Sequence, residues 1–355
     1  MLLNAAAGYR DRSRSSMTEP LHLINPMLQV SGAELHTVAV YRVLSEHGPV
    51  ALWGHRRAPQ ALRKLAPLRT IDPLRWRFPR SGVLVVMGAY FSWFLRPWFF
   101  MTRPSRTILL YNLHDPQDLQ ATRRLISRNG RRPIDMVYAS EVLQREAGIP
   151  GFVEDSPIDL ASFAPCAKRT HRPDRFVVGR CSRDADFKFA ESDPAVFRTL
   201  AERGCTVRLV GATCLRSHLG SLPNVELWPE IAQAAIPEFL AGLDCFVYRT
   251  SSRFQEAYGR VIAEAMACGI PVIVESRVGA SKHIRHGVNG FIANSDDEVI
   301  AAVERLRGDP ALRASLAAAA RATIAQAHTP ESVRAMVDFY FRSPRDSANG
   351  IRLAA

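Results

Sequence analysis

Hydrophobic positions in the first part of the chain alternate between short apolar runs and a stretch with helical spacing. Residues 21–25 (LHLIN) predict a buried strand, and residues 31–44 place apolar side chains at the three- and four-residue intervals of a helix. Residues 49–53 return as a strand. This strand–helix–strand unit predicts the start of a parallel α/β layer. Further strands are predicted at the apolar runs 83–87, 107–111 and 136–139.

The pattern breaks at residues 150–165 and then restarts. That segment is rich in proline and has no regular period, so it predicts a domain boundary. Beyond it, strands are predicted at 176–178, 207–210, 245–248 and 272–274, and helices at 194–203, 236–240 and 260–268. The expected fold class is therefore α/β, with two Rossmann-like parallel sheets that face a central cleft.

We expect four segments along the chain. Residues 1–16, which are charged after the first few positions, predict a disordered lead, with Met17 as an alternative start. Two Rossmann-like domains of similar size are predicted over 17–165 and 166–328. A last helix at 330–341, within the segment 329–355, is expected to pack back on the first domain.

Composition narrows the class of protein. Of 355 residues, 47% are hydrophobic and 23% are charged, as in folded globular proteins. The net charge of +12 indicates an anionic partner, whether a nucleotide phosphate, a nucleic acid or an acidic membrane surface. An RNA-binding protein is not favoured, because the charge is diffuse and no basic helix stands out. The six cysteines form no C-x-x-C pair, which predicts buried free thiols in a reducing cytoplasm rather than a zinc site.

Residues 254–274 carry the most informative chemistry. Gly259 stands at a predicted helix start, where open backbone N–H groups and the helix dipole favour a diphosphate. Glu264, further along that helix, is placed to accept hydrogen bonds from a ribose diol, with a solvated surface charge as the alternative. Glu256, in the preceding loop, is placed to reach hydroxyl groups of a sugar.

Charged residues follow the predicted strand at 176–178. Arg180 lies at its carboxyl end, where a positive group would face the cleft; the alternative is a surface arginine. Lys188 comes further downstream, with Arg183 as a competing cation. Asp184 and Asp186 form a short D-x-D that arises easily by chance and is predicted in a surface loop, so we assign no metal.

The order of motifs resembles one known family. E-x7-E at 256–264, followed by A-M-A-x-G-x-P-V at 265–272, resembles the C-domain signature of GT-B retaining glycosyltransferases, the large glycosyltransferase family 4. Four further landmarks occur in the family's order: S-G-A-E at 31–34, S-P-I-D-L-x-x-F-x-P at 156–165, G-R at 179–180 with Lys188, and H-G-V-N-G-F at 286–291.

The resemblance implies a function and the residues that perform it. It implies an enzyme that moves a sugar from a UDP- or GDP-sugar to a saccharide or lipid-linked acceptor, with retention of configuration and without a metal, in cell-surface polysaccharide or glycolipid synthesis. The acceptor is implied to lie in the first domain and the donor in the second. The residues implied in catalysis are Glu256, Arg180, Lys188 and His114. Those implied in donor binding are Gly32, Gly179, Arg180, Lys188, Glu256, Tyr258, Gly259 and Glu264.

Two departures from the family pattern keep other functions open. Many relatives have G-G-x-x-E after the strand at 272–274, whereas this chain has V-G-A-S-K at 278–282 and lacks that carboxylate. Arg180 and Lys188 are also spaced more widely than in many relatives. A catalytically silent sugar-nucleotide binder and a sugar-nucleotide epimerase therefore stay open. A dinucleotide oxidoreductase is less favoured, because no G-x-G-x-x-G follows the first strand.

The first half mixes basic with aromatic residues: Arg56, Arg57, Arg63, Lys64, Arg69, Arg75, Arg77, Arg80, Arg96, Arg103 and Arg106, with Trp76, Trp93, Trp98 and Phe99. Such a mixture suits an anionic membrane interface, and a solvated basic face over a packed aromatic core is the equal alternative. The apolar run 91–101 is interrupted by Arg96 and Pro97 and is too short to span a bilayer. We expect a cytoplasmic protein, peripheral on the inner face of the membrane under the first alternative.

Overall fold

The computed structural model describes residues 19–128, 133–165 and 175–343. These residues divide into two compact units: the chain up to Pro157 together with the chain from Thr329 forms the first, and Ile158–His328 forms the second. The predicted disordered lead at 1–16 lies outside the described residues, as does position 166, where the second domain was predicted to begin.

A seven-stranded parallel sheet forms the centre of the first unit. Its order is β3-β2-β1-β4-β5-β6-β7, with β1 Leu21–Ile24, β2 Val50–Gly54, β3 Leu68–Thr70, β4 Val83–Val86, β5 Arg106–Tyr111, β6 Ile134–Tyr138 and β7 Phe152–Val153. The helices between these strands are α1 Gly32–Ser45, α2 Gln60–Leu65, α3 Ser92–Leu95, α4 Pro116–Arg128 and α5 Glu141–Ala147. β1, β4 and β5 are almost fully buried, which explains their continuous apolar sequences.

A six-stranded parallel sheet forms the second unit. Its order is β10-β9-β8-β11-β12-β13, with β8 Phe176–Cys181, β9 Cys205–Val210, β10 Val225–Trp228, β11 Cys245–Tyr248, β12 Val272–Val274 and β13 Phe291–Ile292. Its helices are α6 Asp193–Glu202, α7 Arg216–Leu219, α8 Ile236–Ala241, α9 Arg260–Ala267, α10 Asp296–Gly308 and α11 Pro310–Ala327.

Both sheets are wound in the same way, and the predicted α/β class with two Rossmann-like parallel sheets is confirmed. The strand order reverses between β1 and β4 in the first sheet and between β8 and β11 in the second. Ligands of doubly wound sheets bind beyond the carboxyl ends of the strands at such a switch point. The residues that follow β8 and β11 are therefore the first place to look for a site.

The last helix, α12 Pro330–Phe341, packs on the first unit. Met336, Val337 and Tyr340 enter its hydrophobic core. The hydroxyl of Tyr340 donates to Glu154 Oε2 at 2.9 Å, and Glu154 Oε1 lies 3.0 Å from His36 Nε2. This buried chain of polar contacts links the last helix to α1.

The aromatic segment at 91–101 divides between core and surface. Trp98 and Phe99 are buried, as the alternative of a packed aromatic core predicts for these two residues. The Trp98 ring packs against Phe78 and Phe99. Trp76 and Trp93 are exposed. Among the described residues, no helix is both long and apolar enough to cross a bilayer.

Free thiols are mostly buried, as predicted. Cys181, Cys205, Cys245 and Cys268 lie inside the second unit. Cys214 is exposed, since it stands in a short turn after β9, and Cys166 lies outside the described residues.

Candidate functional site

A carboxylate, an ammonium group and a phenol meet at the switch point of the second sheet. Glu256 stands in the loop between β11 and α9, and its Oε2 lies 2.6 Å from Lys188 Nζ and 2.6 Å from the hydroxyl of Tyr248. Tyr248 is the last residue of β11, and Lys188 ends a short 3-10 turn after β8. The structure therefore joins two residues predicted to act in catalysis with a tyrosine that the sequence pattern had assigned only to a buried strand.

These contacts keep Glu256 ionised. Burial alone would raise the pKa of its carboxyl group, but the charge of Lys188 and the hydrogen bonds from Lys188 and Tyr248 outweigh that effect and lower the pKa. Lys188 Nζ also lies 4.1 Å from the centroid of the Phe254 ring, a cation–π distance. The ammonium group is thus held between a carboxylate and an aromatic face.

Arg180 lies near the carboxyl end of β8, as predicted, but its side chain is fully buried. We expected the guanidinium to face the cleft or, in the alternative, to lie on the surface, and its burial excludes the surface alternative. It donates to the carbonyl oxygen of Arg249 at 2.6 Å and to the carbonyl oxygen of Lys188, and it stacks 4.2 Å from the Tyr248 ring and 4.4 Å from the Phe189 ring. The reason is that loops from distant parts of the chain close over the strand end. Arg180 thereby contacts both Lys188 and Tyr248, the two donors to Glu256.

A buried ion network holds these loops. Asp193, the first residue of α6, lies 2.6 Å from Arg249 Nη2 and 3.6 Å from Arg180 Nη1. Arg249 Nη1 also lies 2.7 Å from Asp296, at the start of α10. Buried charges are tolerated when they are paired in this way, so the network fixes the geometry of the strand ends.

Glu275, directly after β12, is a further carboxylate that sequence reasoning missed. Its Oε1 accepts hydrogen bonds from the backbone N and the hydroxyl of Thr250, each at 2.7 Å, and its Oε2 lies 2.7 Å from Arg277 Nε. It ties the end of β12 to the loop that carries Glu256.

The loop of Glu256 is clamped by a second loop. The backbone N of Gly279 donates to the carbonyl of Glu256 at 3.1 Å, and that of Ala280 donates to the carbonyl of Tyr258 at 2.6 Å. A β-carbon at Gly279 would overlap the carbonyl of Ala257, so only glycine permits this approach. Gly259 caps α9 with φ +83°, the left-handed conformation that glycine favours.

Glu264 is buried, which excludes the alternative of a solvated surface charge. Its Oε1 accepts from Arg260 Nε at 2.9 Å and from Gln233 Nε2 at 3.1 Å. Burial raises the pKa of this carboxyl group, and the charge of Arg260 offsets that effect only in part. Gln233 precedes α8, and no motif in the sequence pointed to it.

Other residues singled out in the second unit have structural partners. Gly179 faces Leu243, and a β-carbon there would overlap the leucine side chain. Asp184 caps the turn after β9 by accepting from the backbone N of Thr213 at 3.1 Å and of Cys214 at 3.0 Å. Within the described ranges, no group of three or more His, Cys, Asp or Glu side chains is arranged to hold a metal ion.

The first unit has its own polar cluster at the switch point between β1 and β4. Asn25, after β1, donates to the carbonyl of Met87 at 3.1 Å and lies 3.4 Å from the hydroxyl of Tyr90. Glu34 in the first turn of α1 accepts from Ser31 and lies 3.5 Å from Tyr90. Gly32 begins α1, and a β-carbon there would meet no described atom within 4 Å. Neither strain nor packing in the described residues explains this glycine.

His114 lies apart from that cluster. It follows β5, and its Nδ1 lies 2.7 Å from Glu146 in α5, with about a third of the side chain exposed. The structure thus gives His114 an acidic partner at the carboxyl edge of the first sheet, one strand beyond the switch point. Its predicted catalytic role stays a prediction.

Comparison with known proteins agrees with the motifs. Residues 206–323 match the family model described as glycosyl transferases group 1. The D-inositol 3-phosphate glycosyltransferase of Thermomonospora curvata is 31% identical over 112 residues, which are 31% of this chain and 25% of that protein. The capsular polysaccharide biosynthesis glycosyltransferase CapM of Staphylococcus aureus is 26% identical over 155 residues, 40% of each chain. The chain therefore spans less than half the length of these two relatives.

A solved structure shares the fold over nearly the whole length. HepE of Anabaena, crystallised with UDP-glucose, aligns with a TM-score of 0.70 at 19% identity, covering 94% of this chain and all of that one. At this identity the likeness establishes the fold. The resemblance predicted from the motifs is thereby supported over residues 206–323, which match the glycosyl transferases group 1 family, and the fold of the chain is GT-B.

Proposed function

We propose that this protein is a retaining glycosyltransferase of family 4 that transfers a hexose from a nucleotide-sugar donor to a saccharide or lipid-linked acceptor. The observation that carries the proposal is the contact of Lys188 with Glu256 at the switch point of the second sheet, beside the helix start at Gly259. The group 1 family match covers this part of the chain, apart from Lys188 itself. HepE and CapM support a UDP-sugar donor and a role in polysaccharide synthesis, respectively.

The charges suit departure of a diphosphate. When the bond between the anomeric carbon and the phosphate oxygen breaks, the electron pair stays with the nucleoside diphosphate and positive charge develops on the sugar ring. In this proposal, Lys188 and the N–H groups at the start of α9 stabilise the leaving anion. Arg180 supports this arrangement through Lys188 and Tyr248, because its own guanidinium is enclosed.

Glu256 is proposed to orient the sugar rather than to attack it. Its ionised carboxylate accepts hydrogen bonds, and both contacts with Lys188 and Tyr248 are made to Oε2. In the retaining mechanism that the family resemblance implies, the acceptor oxygen attacks from the face that the diphosphate leaves, and its proton passes to the leaving phosphate. Glu264 would bind the ribose hydroxyls, with Gln233 and Arg260 holding its carboxylate in position.

A donor screen tests the proposal. The purified protein would be heated with UDP-, GDP- and ADP-sugars, since a ligand at 100 times its dissociation constant adds about 2.7 kcal/mol to the free energy of unfolding. We expect a rise in Tm with one donor, and no rise for Glu264→Ala with the same donor. The absence of any shift, with free UDP and GDP included, would overturn the assignment of a donor site.

Turnover assays separate the enzyme from the remaining alternatives. Release of free nucleotide that requires an acceptor is expected for a transferase. Binding without turnover would identify a silent sugar-nucleotide binder, and isomerised donor without an acceptor would identify an epimerase. Activity retained in EDTA is expected for the proposed metal-independent mechanism. A cytoplasmic location is part of the same proposal.

A further inference from the structure

A closed loop on the first unit, Asp72–Arg77, is ordered by its own backbone. Asp72 and Arg77 exchange two hydrogen bonds, of 2.8 Å and 2.9 Å, which close the loop at its base. Within it, the backbone N of Arg75 donates to the Asp72 carboxylate at 3.3 Å, and that of Trp76 donates to the Pro73 carbonyl at 3.2 Å. The loop therefore presents its side chains on a fixed frame.

That frame displays apolar side chains to solvent. Leu74 is 94% exposed and Trp76 is 62% exposed. Trp76 has φ +55°, a left-handed conformation that bulky residues rarely adopt, and the hydrogen bonds of the loop hold it there. Its ring centroid lies 6.0 Å from that of Phe78, which in turn lies 6.1 Å from the buried Trp98. The indole is thus anchored to the core through Phe78 while much of its surface stays open.

The charge around these apolar tips is positive. Arg75 and Arg77 alternate with Leu74 and Trp76 along the loop, and the side chain of Arg75 is 73% exposed. Arg80 Cζ lies 5.9 Å from the centroid of the Trp76 ring. The acidic residue of the segment, Asp72, uses its carboxylate inside the loop.

We propose that the loop Asp72–Arg77 docks this protein on an anionic lipid bilayer. Leu74 and Trp76 enter the interfacial region, and Arg75, Arg77 and Arg80 contact lipid phosphates. Tryptophan and arginine together would also suit an anionic saccharide. A polar saccharide chain, however, would not bury the exposed side chain of Leu74 in an apolar environment, whereas the acyl chains of a bilayer would. Charge complementarity and the apolar tip therefore favour a lipid surface. This inference does not depend on sugar transfer.

Vesicle co-sedimentation at low salt tests the inference. We expect the protein to bind phosphatidylcholine vesicles that contain phosphatidylglycerol and to remain unbound with phosphatidylcholine alone. Leu74→Ser should lower the partition coefficient about tenfold, the effect of losing one buried leucine side chain. Arg75→Gln should lower it about fivefold, the effect of one basic residue near an anionic surface. Quenching of tryptophan fluorescence by brominated lipid should fall in Trp76→Phe.

Matched substitutions in the second unit serve as controls. Val288 is 48% exposed, so Val288→Ser removes a comparable apolar side chain. Arg203 lies 3.8 Å from Glu304, much as Arg75 lies 3.7 Å from Asp72, so Arg203→Gln removes a comparable charge. Both controls should bind vesicles as the wild type does.

Several outcomes would overturn the proposal. One is the absence of vesicle binding at low salt, and another is an equal loss of binding in Leu74→Ser and Val288→Ser. A third is binding to dextran sulfate without binding to vesicles, which would indicate a saccharide partner. Thermal shifts with nucleotide sugars on the same preparations would report the donor site separately, so a failure of one proposal does not count against the other.

Discussion

Lys188 Nζ lies 2.6 Å from Glu256 Oε2, although 68 residues separate the two along the chain. Lys188 follows β8 and Glu256 follows β11, and these strands are neighbours only because the strand order of the sheet reverses between them. The pair unites a cation suited to a leaving diphosphate with a carboxylate suited to sugar hydroxyls.

Glu256→Gln should reduce kcat about 100-fold or more while the protein stays folded. The substitution keeps the shape of the side chain but removes the negative charge to which Lys188 and Tyr248 donate hydrogen bonds. Removing one preorganised electrostatic contact from an active site lowers kcat by about this factor. Steady-state kinetics would show the fall, and circular dichroism with a melting curve would verify the fold. Unchanged turnover would remove Glu256 from the mechanism.

Tyr248→Phe should shift the acid limb of the rate profile to higher pH. The hydroxyl helps to keep the pKa of Glu256 low, so its loss raises that pKa, and the ionised carboxylate is then lost at a higher pH as the solution is acidified. The profile of kcat/KM against pH measures this shift. A purely structural role for Tyr248 predicts lower stability with the acid limb in its original place.

Gly279→Ala should destabilise the fold by about 1–3 kcal/mol and impair turnover, because its β-carbon would overlap the Ala257 carbonyl and displace the loop of Glu256. Gly308→Ala is the matched control: it ends α10, has no atom of the described residues within 4 Å of the new β-carbon, and should leave stability unchanged or raise it by up to about 1 kcal/mol. Chemical denaturation of both variants gives the comparison. Similar free energies of unfolding for Gly279→Ala and Gly308→Ala would contradict the close approach of the two loops at Gly279.

Gly32→Ala separates a ligand-contacting glycine from a structural one. The added methyl group meets no described atom within 4 Å, and the residue lies at the start of a helix, so Tm should hold or rise slightly. If the backbone at Gly32 approaches the donor phosphates closely, as the family resemblance implies, the affinity of Gly32→Ala for the donor should fall. Isothermal titration with the donor found in the screen measures it, and unaltered affinity would leave Gly32 without that role.

Local pattern was sufficient for the inner strands and for the last helix. Residues 245–248 and 330–341 were predicted with the bounds that the structure shows. The strand is a continuous apolar run, and the helix begins with a proline and has helical spacing of its apolar residues, so both signals lie within the segment itself. The strands that were missed, β3, β7, β10 and β13, all lie at the edges of the sheets. Edge strands are only partly buried, so their sequences carry no strong apolar signal.

The sequence by itself determined the class of fold and the loop and helix on which Glu256, Gly259 and Glu264 stand. Tertiary structure decided which groups face one another. Arg180, predicted to face the cleft, is enclosed, whereas Tyr248, predicted only as the end of a strand, donates to Glu256. The physical reason is that side-chain exposure at a strand end depends on the loops that pack over it, and those loops come from α6, α10 and β12, far away in the chain.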